Sequence, residues 1–333
     1  MTGVKTVEVI GGAGFIGTRL CSLLSRNGLS YRVFDKRPLS SFGENAKIGD
    51  IRNSADLTTW LEENSVVINL AAEHKDDVRP VSLYDEVNVQ GARNLCDACR
   101  EKNINTIIFT SSVAVYGFAP VNTDESGEID PFNDYGRTKA EAEEVYMAWC
   151  AEDPENRTLV IIRPTVVFGE QNRGNVYNFL KQIASGRFLM IGNGLNCKSM
   201  AYVENVSAFI VHSLGFAPGV HVYNYIDKPD LSMNVLVSKV RSILGRKQGV
   251  GLRIPYWIGF SVAKIVDFLA FASRRSFSIS SIRVKKFCSD TVFDTSVEKT
   301  GFVAPVPLEE ALLRTVKHEF TEDHSEERLF YSE

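Results

Sequence analysis

Short β-branched runs alternate with longer stretches of helical periodicity through the first two-thirds of the chain. The runs Thr6–Ile10, Tyr31–Phe34, Val66–Leu70, Thr106–Thr110 and Leu159–Ile162 read as strands buried on both faces. Between them, Thr18–Asn27, Val87–Lys102 and Asp134–Cys150 repeat apolar positions at helical spacing. This alternation predicts an α/β fold, a doubly wound parallel sheet with helices on both faces and ligands at the carboxyl ends of its strands. After about Gly169 the rhythm changes. Gly- and Asn-rich loops (GEQNRGN, IGNGLNCK) and mixed segments predict a smaller C-terminal substrate lobe, interleaved with a last sheet strand near Val220–Tyr225. The expected division is 1–172 for a dinucleotide-binding domain, to which 201–225 return, with 173–200 and 226–320 for the lobe. Residues 321–333 read as a polar, frayed tail.

The 333 residues suffice for a sizeable core, and a composition 44% hydrophobic and 23% charged with net charge −4 gives no reason to expect nucleic acid as a partner. The charge is unevenly spread. Lys239 to Lys286 holds 11 Lys/Arg and one acidic residue, a net +10, which leaves −14 on the remainder. Such an asymmetry marks a surface that meets something anionic. The longest apolar stretch, Ile254–Ala272, is interrupted by Lys264 and Asp267, which argues against a membrane span. A strand that opens beside the amino terminus leaves no room for a secretory signal, so a cytoplasmic protein is expected. Cys21, Cys96, Cys99, Cys150, Cys197 and Cys288 are scattered; the one CxxC lies in a helical run without a second pair. Reduced core thiols and no metal site are expected.

The strand Val7–Ile10 runs into GGAGFIG (Gly11–Gly17) and then a helix. Glycines allow the tight turn and the approach of backbone to a pyrophosphate at the helix amino terminus, with Gly11, Gly14, Phe15, Ile16 and Gly17 as candidate contacts. Asp35 ends the second strand, placed to accept both ribose hydroxyls of the adenosine and to repel a 2′-phosphate. That favours NAD, although Lys36 and Arg37 follow directly and could serve a phosphate. Asp50 and Ile51 are placed to meet the adenine, and a turn-capping role for Asp50 fits equally well. Leu70, Ala71 and Ala72 present small side chains where the cofactor passes close.

Tyr135 and Lys139 stand four apart in YGRTK, on one helical face. An ammonium beside a phenol stabilises the phenolate and makes a base able to take a hydroxyl proton near neutrality. The strand Thr106–Thr110 ends in Ser111 and Ser112, and a serine there can hydrogen-bond the same substrate oxygen.

Together GGAGFIG, INLAA, SSVAVYG, YGRTK and RPTVVFGE resemble the extended short-chain dehydrogenase/reductases, in particular sugar-nucleotide epimerases and dehydratases with a Rossmann domain. The resemblance implies Ser112 as catalytic hydroxyl, Tyr135 as acid/base and Lys139 as its tuning, ribose-binding partner. It implies further cofactor contacts at Asn88, Ser111, Pro164 and Val166, and a homodimer. Related 4,6-dehydratases place an Asp–Glu pair after the catalytic hydroxyl, and C3/C5 epimerase–reductases a cysteine. Val113 and Ala114 do neither job, which leaves oxidation and re-reduction at one carbon: 4-epimerisation. Lys198 and the Arg283–Lys285 region match places where relatives hold the substrate diphosphate, with exposed salt bridges the alternative for Arg283 and Lys285. Asn175 is a further candidate substrate contact. Thr291, where glucose/galactose epimerases resemble one another in a large aromatic, leaves room for an acetamido group.

RGNVYNFLKQIA, KSMAYVENV, VYNYIDKPDLSMN, SIRVKKFC and GFVAP are similar to bacterial enzymes that epimerise N-acetylglucosamine on undecaprenyl diphosphate for O-antigen synthesis. The stretch Pro255–Ala272, with Tyr256, Trp257, Phe260, Phe268 and Phe271 and then Arg274 and Arg275, reads either as an interfacial helix or as a core helix of the lobe. The resemblance implies the interface, and with it a peripheral place on the inner face of the cell membrane through segment 239–286. The rival readings are an epimerase of UDP-linked amino sugars, a 4-keto-sugar reductase or hydroxysteroid-type dehydrogenase, and a nucleotide-sensing protein, which would lack the Tyr–Lys pair.

Overall fold

Seven strands, Val7–Ile10 (β1), Tyr31–Asp35 (β2), Ala46–Ile48 (β3), Val66–Asn69 (β4), Thr106–Thr110 (β5), Thr158–Pro164 (β6) and Gly219–Tyr225 (β10), pair in parallel. The spatial order is β10-β6-β5-β4-β1-β2-β3, so the chain reverses direction of growth between β1 and β4. The reversal opens a crevice at the carboxyl ends of these two strands, where a doubly wound sheet takes its ligand. The computed structural model describes residues 6–37, 42–75, 78–273, 281–324 and 327–331. The doubly wound sheet expected from the alternation is therefore present. β3, too short for a recognisable pattern, was not anticipated.

Both faces of the sheet are covered, which is why β1, β4 and β6 carry almost continuous apolar runs. On one face Phe15–Arg26 (α1) and Val203–Ser213 (α7) bury Leu20, Leu24, Phe209 and Ile210 against Val9 and Val160. On the other, Ser54–Trp60 (α2), Gly91–Glu101 (α4) and Asp134–Ala151 (α5) bury Leu57, Leu95, Tyr146 and Trp149 against Val67 and Ile107. A short helix Ser82–Tyr84 (α3) and a π-helical segment Asp85–Gln90 lead into α4. α5 begins where the Asn133 side chain accepts from the Gly136 amide at 2.9 Å, satisfying one amide that the first turn leaves open. The CxxC thiols Cys96 and Cys99 are buried within α4, and burial pushes both up.

A smaller layer stands beyond the sheet. Cys197–Tyr202 (β9) lies between Val166–Phe168 (β7), parallel to it, and Asp227–Ser232 (β11), antiparallel. Met190–Ile191 (β8) pairs with Arg253–Ile254 (β12). Asn175–Ala184 (α6), Met233–Ile243 (α8) and Leu308–Phe320 (α11) enclose a third core around Leu180, Leu236, Val240 and Leu312. Residues 166–168, grouped above with the first domain, instead edge this second sheet. Pro164 ends the β6 ladder, and Thr165 turns the chain out towards β9.

Tyr256–Ser273 (α9) and Ser281–Cys288 (α10) complete the lobe. α9 rests on a narrow face of small residues: Gly259 lies against Ile191, where any Cβ would come within 2.6 Å, and Ala263 is fully buried. Trp257 and Ile265 are 69% and 61% exposed, so the described part of this helix is not a core helix. Phe268 and Phe271 lie outside the described side chains, and Arg274 and Arg275 outside the described residues. Among the described residues no helix is long and apolar enough to cross a membrane.

The tail also differs from the frayed segment expected from its polarity. Phe330 is buried, its amide donates to the Gln171 carbonyl at 2.9 Å, and its carbonyl accepts from the Arg173 amide at 2.7 Å. One aromatic side chain anchors it. Of the polar residues around it, Glu327 meets His318 on α11 at 2.9 Å and Arg328 donates to the Ala13 carbonyl at 3.1 Å.

Within the core one ion pair stands out. Arg163 on β6 donates to both oxygens of Glu143 on α5, at 2.9 and 2.5 Å, with both side chains at most 5% exposed, and also to the Tyr116 hydroxyl at 2.6 Å. Removing one partner strands the other charge in the interior. Arg163→Met should lower unfolding free energy by about 3–5 kcal/mol. Denaturant titration checks this, and a loss below about 1 kcal/mol, the range of an exposed pair, would show that the buried pair holds nothing.

Candidate active site

The crevice at the ends of β1, β2, β4 and β5 is a single cavity whose walls include Gly11, Gly14, Phe15, Ile16, Gly17, Asp35, Lys36, Asp50, Ile51, Leu70, Ala71, Ala72, Ser111, Ser112, Tyr135, Lys139, Pro164, Val166 and Asn175. The turn that forms its floor needs glycine for reasons of space. Gly11 has φ +83°, and a Cβ there would stand 2.7 Å from the Ala71 amide nitrogen. A Cβ on Gly17 would stand 2.6 Å from the Gly12 Cα and carbonyl oxygen. The bare backbone leaves a cradle at the amino end of α1, where the helix dipole favours an anion.

Asp35 is buried and fastens this turn, its Oδ2 accepting from the Ala13 amide at 2.9 Å while Oδ1 accepts from the Arg37 amide at 2.9 Å. The two cations that could have served a 2′-phosphate line the cavity paired with carboxylates. Lys36 pairs with Glu73 at 2.5 Å, and the Arg37 guanidinium leans on Asp35 at 3.4 Å. The carboxylate thus dominates the ribose end. Asp50 lines the cavity and accepts from the Arg52 amide at 3.0 Å and its guanidinium at 2.8 Å, while Asn53 rather than Asp50 caps α2. Those hydrogen bonds hold its carboxyl below the usual range.

At the other end β5 delivers Thr110, Ser111 and Ser112, and α5 delivers Tyr135 and Lys139. Ser112 accepts from the Ala114 amide at 3.1 Å, and its hydroxyl lies beside the Tyr135 phenol, whose pKa it draws down. The Lys139 ammonium donates to the Thr110 carbonyl at 2.8 Å and lies 4.6 Å from the Phe109 ring centre. Burial pushes this lysine down to about 7, with Glu143 one turn on acting the opposite way. Burial likewise pushes the Tyr135 phenol up to about 12, and the Ser112 hydroxyl draws it partly back. This corrects the expectation of a phenol lowered by its lysine neighbour. Burial penalises the charged form of each group. Two hydroxyls lining the cavity, Thr110 Oγ1 and Ser111 Oγ, are buried with no hydrogen-bond partner in the protein. Buried donors left unmet in this way await a ligand. With the side-chain-free cradle opposite, the walls fit a dinucleotide whose nicotinamide end lies beside Ser112, Tyr135 and Lys139. A phenol and a serine hydroxyl there can hold a substrate hydroxyl and exchange its proton.

Several expected residues lie elsewhere. Asn88 is one layer behind the wall, donating to Thr138 Oγ1 at 2.9 Å and bracing the Glu73 backbone. Lys198 is not available to a diphosphate, because its ammonium donates to the Lys286 and Ser289 carbonyls at 2.8 and 2.7 Å and to Thr291 Oγ1 at 3.0 Å. It ties the carboxyl end of α10 to β9, where a cation complements the helix dipole. Thr291 is thereby turned to Lys198, outside the cavity walls, and Arg283 and Lys285 lie exposed on α10. His74, Asn172, Phe330 and Tyr331 line the cavity without having been anticipated. His74 could have been found from its place two residues beyond Ala72 at the end of β4. The tail residues carry no local signal.

The family model for the NAD dependent epimerase/dehydratase family matches residues 7–225. The chain is 47% identical over 329 residues to the N-acetyl-α-D-glucosaminyl-diphospho-ditrans,octacis-undecaprenol 4-epimerase of Escherichia coli O157:H7, covering 98% of this chain and 99% of that protein. It is 27% identical over 266 residues to the UDP-glucose 4-epimerase of Vibrio cholerae, covering 76% and 80% of the two chains. The crystal structure of the UDP-glucuronic acid 4-epimerase from Bacillus cereus in complex with NAD shares the fold, with TM-score 0.71, 20% identity and coverage of 94% and 98%.

Asp35→Asn keeps an acceptor for the Ala13 amide but removes the charge that faces the ribose. The ratio of NADP to NAD dissociation constants should fall at least about tenfold, roughly 1.4 kcal/mol. Fluorescence titration of nucleotide-free protein measures it, and an unchanged ratio would remove Asp35 from the ribose site.

Proposed function

The chain belongs to the NAD dependent epimerase/dehydratase family, and from that membership we propose that it is an NAD-dependent 4-epimerase interconverting N-acetylglucosamine and N-acetylgalactosamine on undecaprenyl diphosphate. Bound NAD supplies the acceptor for the C4 hydride and returns it. The protein's part is proton handling and position. Ser112 and Tyr135 grip the 4-hydroxyl oxygen, and Tyr135, whose burial holds it as the neutral phenol, must first ionise beside cationic Lys139 and then take the hydroxyl proton as the phenolate. The 4-keto sugar turns over in the cleft, Tyr135 returns the proton, and net redox is zero. Lys139 holds the nicotinamide ribose, and its cationic form assists the phenolate. Val113 and Ala114 offer neither acid nor base, so chemistry ends at one carbon.

The substrate's carrier is read from the surface beside this site. Phe118, 75% exposed, and Phe132 pack with ring centres 4.7 Å apart, and the Lys286 ammonium on α10 lies 4.4 Å from the Phe132 ring. Phe132 stands just ahead of α5, three residues before Tyr135. Exposed apolar and basic residues lie also on α10, at Ile282, and on α9, at Trp257, Val262, Lys264 and Ile265, and we read them with the Phe118–Phe132 pair as one face. This face is the observation that carries the lipid-linked reading: a polyprenyl diphosphate lies with its sugar at Tyr135 and its chain in the bilayer. The chain would then sit peripherally on the inner membrane face, α9 against the interface. Each cation near an anionic leaflet adds about 1 kcal/mol.

Tyr135→Phe should lower turnover by about 10²–10⁴-fold while nucleotide binding is retained. Purified enzyme offered lipid-linked and UDP-linked N-acetylhexosamine in parallel should epimerise the former. Preference for the UDP sugar would favour a soluble nucleotide-sugar epimerase instead. The protein should also sediment with anionic vesicles at low salt and be released at high salt. Ile265→Asp should abolish sedimentation while turnover of a short-chain, water-soluble diphosphate substrate persists, and retention of Ile265→Asp on vesicles would place the contact elsewhere.

A further inference from the structure

Beyond the catalytic cleft, the end of α11 and the strap that follows it bring two imidazoles and a carboxylate together. His318 Nε2 lies 2.9 Å from one oxygen of Glu327, and His324 Nδ1 lies 2.9 Å from the other. The two rings are nearly parallel, 12° apart in plane, with centres separated by 3.8 Å. Each ring turns one nitrogen to the Glu327 carboxylate, and rotating one ring out of the stack would let both in-plane lone pairs converge on a single cation. The three ligand atoms lie within 4.8 Å of one another. Tetrahedral zinc with nitrogen and oxygen ligands requires separations of about 3.4 Å, so the three ligands must draw together and one imidazole must turn as the ion enters. The outer nitrogens are also satisfied in a telling way. His318 Nδ1 meets Glu319 at 3.2 Å, and His324 Nε2 meets Glu322 at 3.0 Å. A carboxylate behind each imidazole fixes its tautomer and raises its basicity as a ligand.

The strap that Glu327 begins reaches the cofactor cleft within four residues. Arg328 donates to the carbonyl of Ala13, inside the glycine turn, at 3.1 Å. The Phe330 ring packs 5.8 Å from Phe15, the first residue of α1, and Phe330 and Tyr331 form part of the cavity wall. Glu327 also accepts from the Gln171 side chain, in the loop that carries Asn172 to the same wall. Whatever holds Glu327 to α11 therefore holds the strap across the dinucleotide site.

We propose that His318, His324 and Glu327 bind one zinc-class divalent cation, and that its occupancy clamps the strap over the cofactor and slows nucleotide release. Two imidazoles and one carboxylate leave a fourth position for water and suit zinc, cobalt or nickel rather than magnesium or calcium. Metal displaces the protons now shared between the imidazoles and Glu327. The benefit suits an enzyme whose cofactor must stay through both half-reactions. The clamp rests on the reading of the cleft as an NAD site, and the metal site does not.

The full chain, stripped with chelator, is titrated with cobalt(II) and followed by its visible absorption, with zinc as competitor. One cobalt per chain with a tetrahedral spectrum, displaced by zinc and lost in His324→Ala, is expected. Nucleotide release is then timed by trapping displaced NAD. Zinc should slow it about tenfold or more in the wild type, with chelator reversing the effect, and Arg328→Ala should bind cobalt yet lose the effect. Absence of stoichiometric cobalt binding, or a spectrum unchanged in His324→Ala, overturns the site. Cobalt binding with no change in release overturns the clamp. Failure of NAD to bind at all would count against the cofactor reading while the cobalt titration still decides the metal site.

Discussion

The crossing of bare backbone at the end of β1 is the constraint to which the rest of the molecule is registered. Gly11 passes the start of the β4 exit loop so closely that a Cβ would stand 2.7 Å from the Ala71 nitrogen, and Gly17 is pressed against Gly12 in the same way. That contact sets how near α1 can come to the sheet and how deep the crevice between β1 and β4 becomes. Three residues from two distant parts of the chain then attach to the turn itself. Asp35 from β2 accepts the Ala13 amide, Arg328 from the strap donates to the Ala13 carbonyl, and Phe330 covers Phe15. A turn only a few residues long thus positions the ribose carboxylate, the floor of the anion cradle and the wall that closes it.

α5 does the corresponding work at the reactive end. Tyr135, Lys139 and Glu143 follow one another at four-residue spacing, so they share a face. Tyr135 and Lys139 reach the cavity, and Glu143 is clamped by Arg163 on β6. The buried ion pair sets the height and rotation of the helix, and with them the place of the phenol. It also shapes the electrostatics. Lys139 lies in a dry wall that pushes its ammonium down to about 7, while the Glu143 carboxylate partly restores it. A lysine near the midpoint of its titration at neutral pH responds strongly to whatever charge enters the cleft.

The substrate end is built differently. Its cations on α9 and α10 are exposed, and Lys198, half-buried on β9, spends its donors on the carboxyl end of α10. Its contribution is to fix α10 against β9. That places Lys286 4.4 Å from the Phe132 ring, just ahead of α5. A rigid catalytic wall joined to a basic, apolar flank suits a reaction in which the sugar is small and polar and its carrier long and greasy.

The sequence by itself determined what depends on neighbours within a turn or a strand. Period-two and period-3.6 patterns marked the main elements, the glycine turn announced itself by composition after a strand, and Tyr135 and Lys139 share a face because four residues make about one helical turn. Tertiary structure decided the rest. Local pattern could not say that β7 would leave the main sheet after Pro164, that Asn88 would brace the wall from behind, or that Thr291 would turn to Lys198. Nor could it say that Phe330 would close on Phe15 from the far end of the chain. Each of these outcomes is a hydrogen bond or a burial between residues distant in sequence. Such contacts exist only once two surfaces have met, and which surfaces meet is settled by competition for the same core, not by any one segment's own preference.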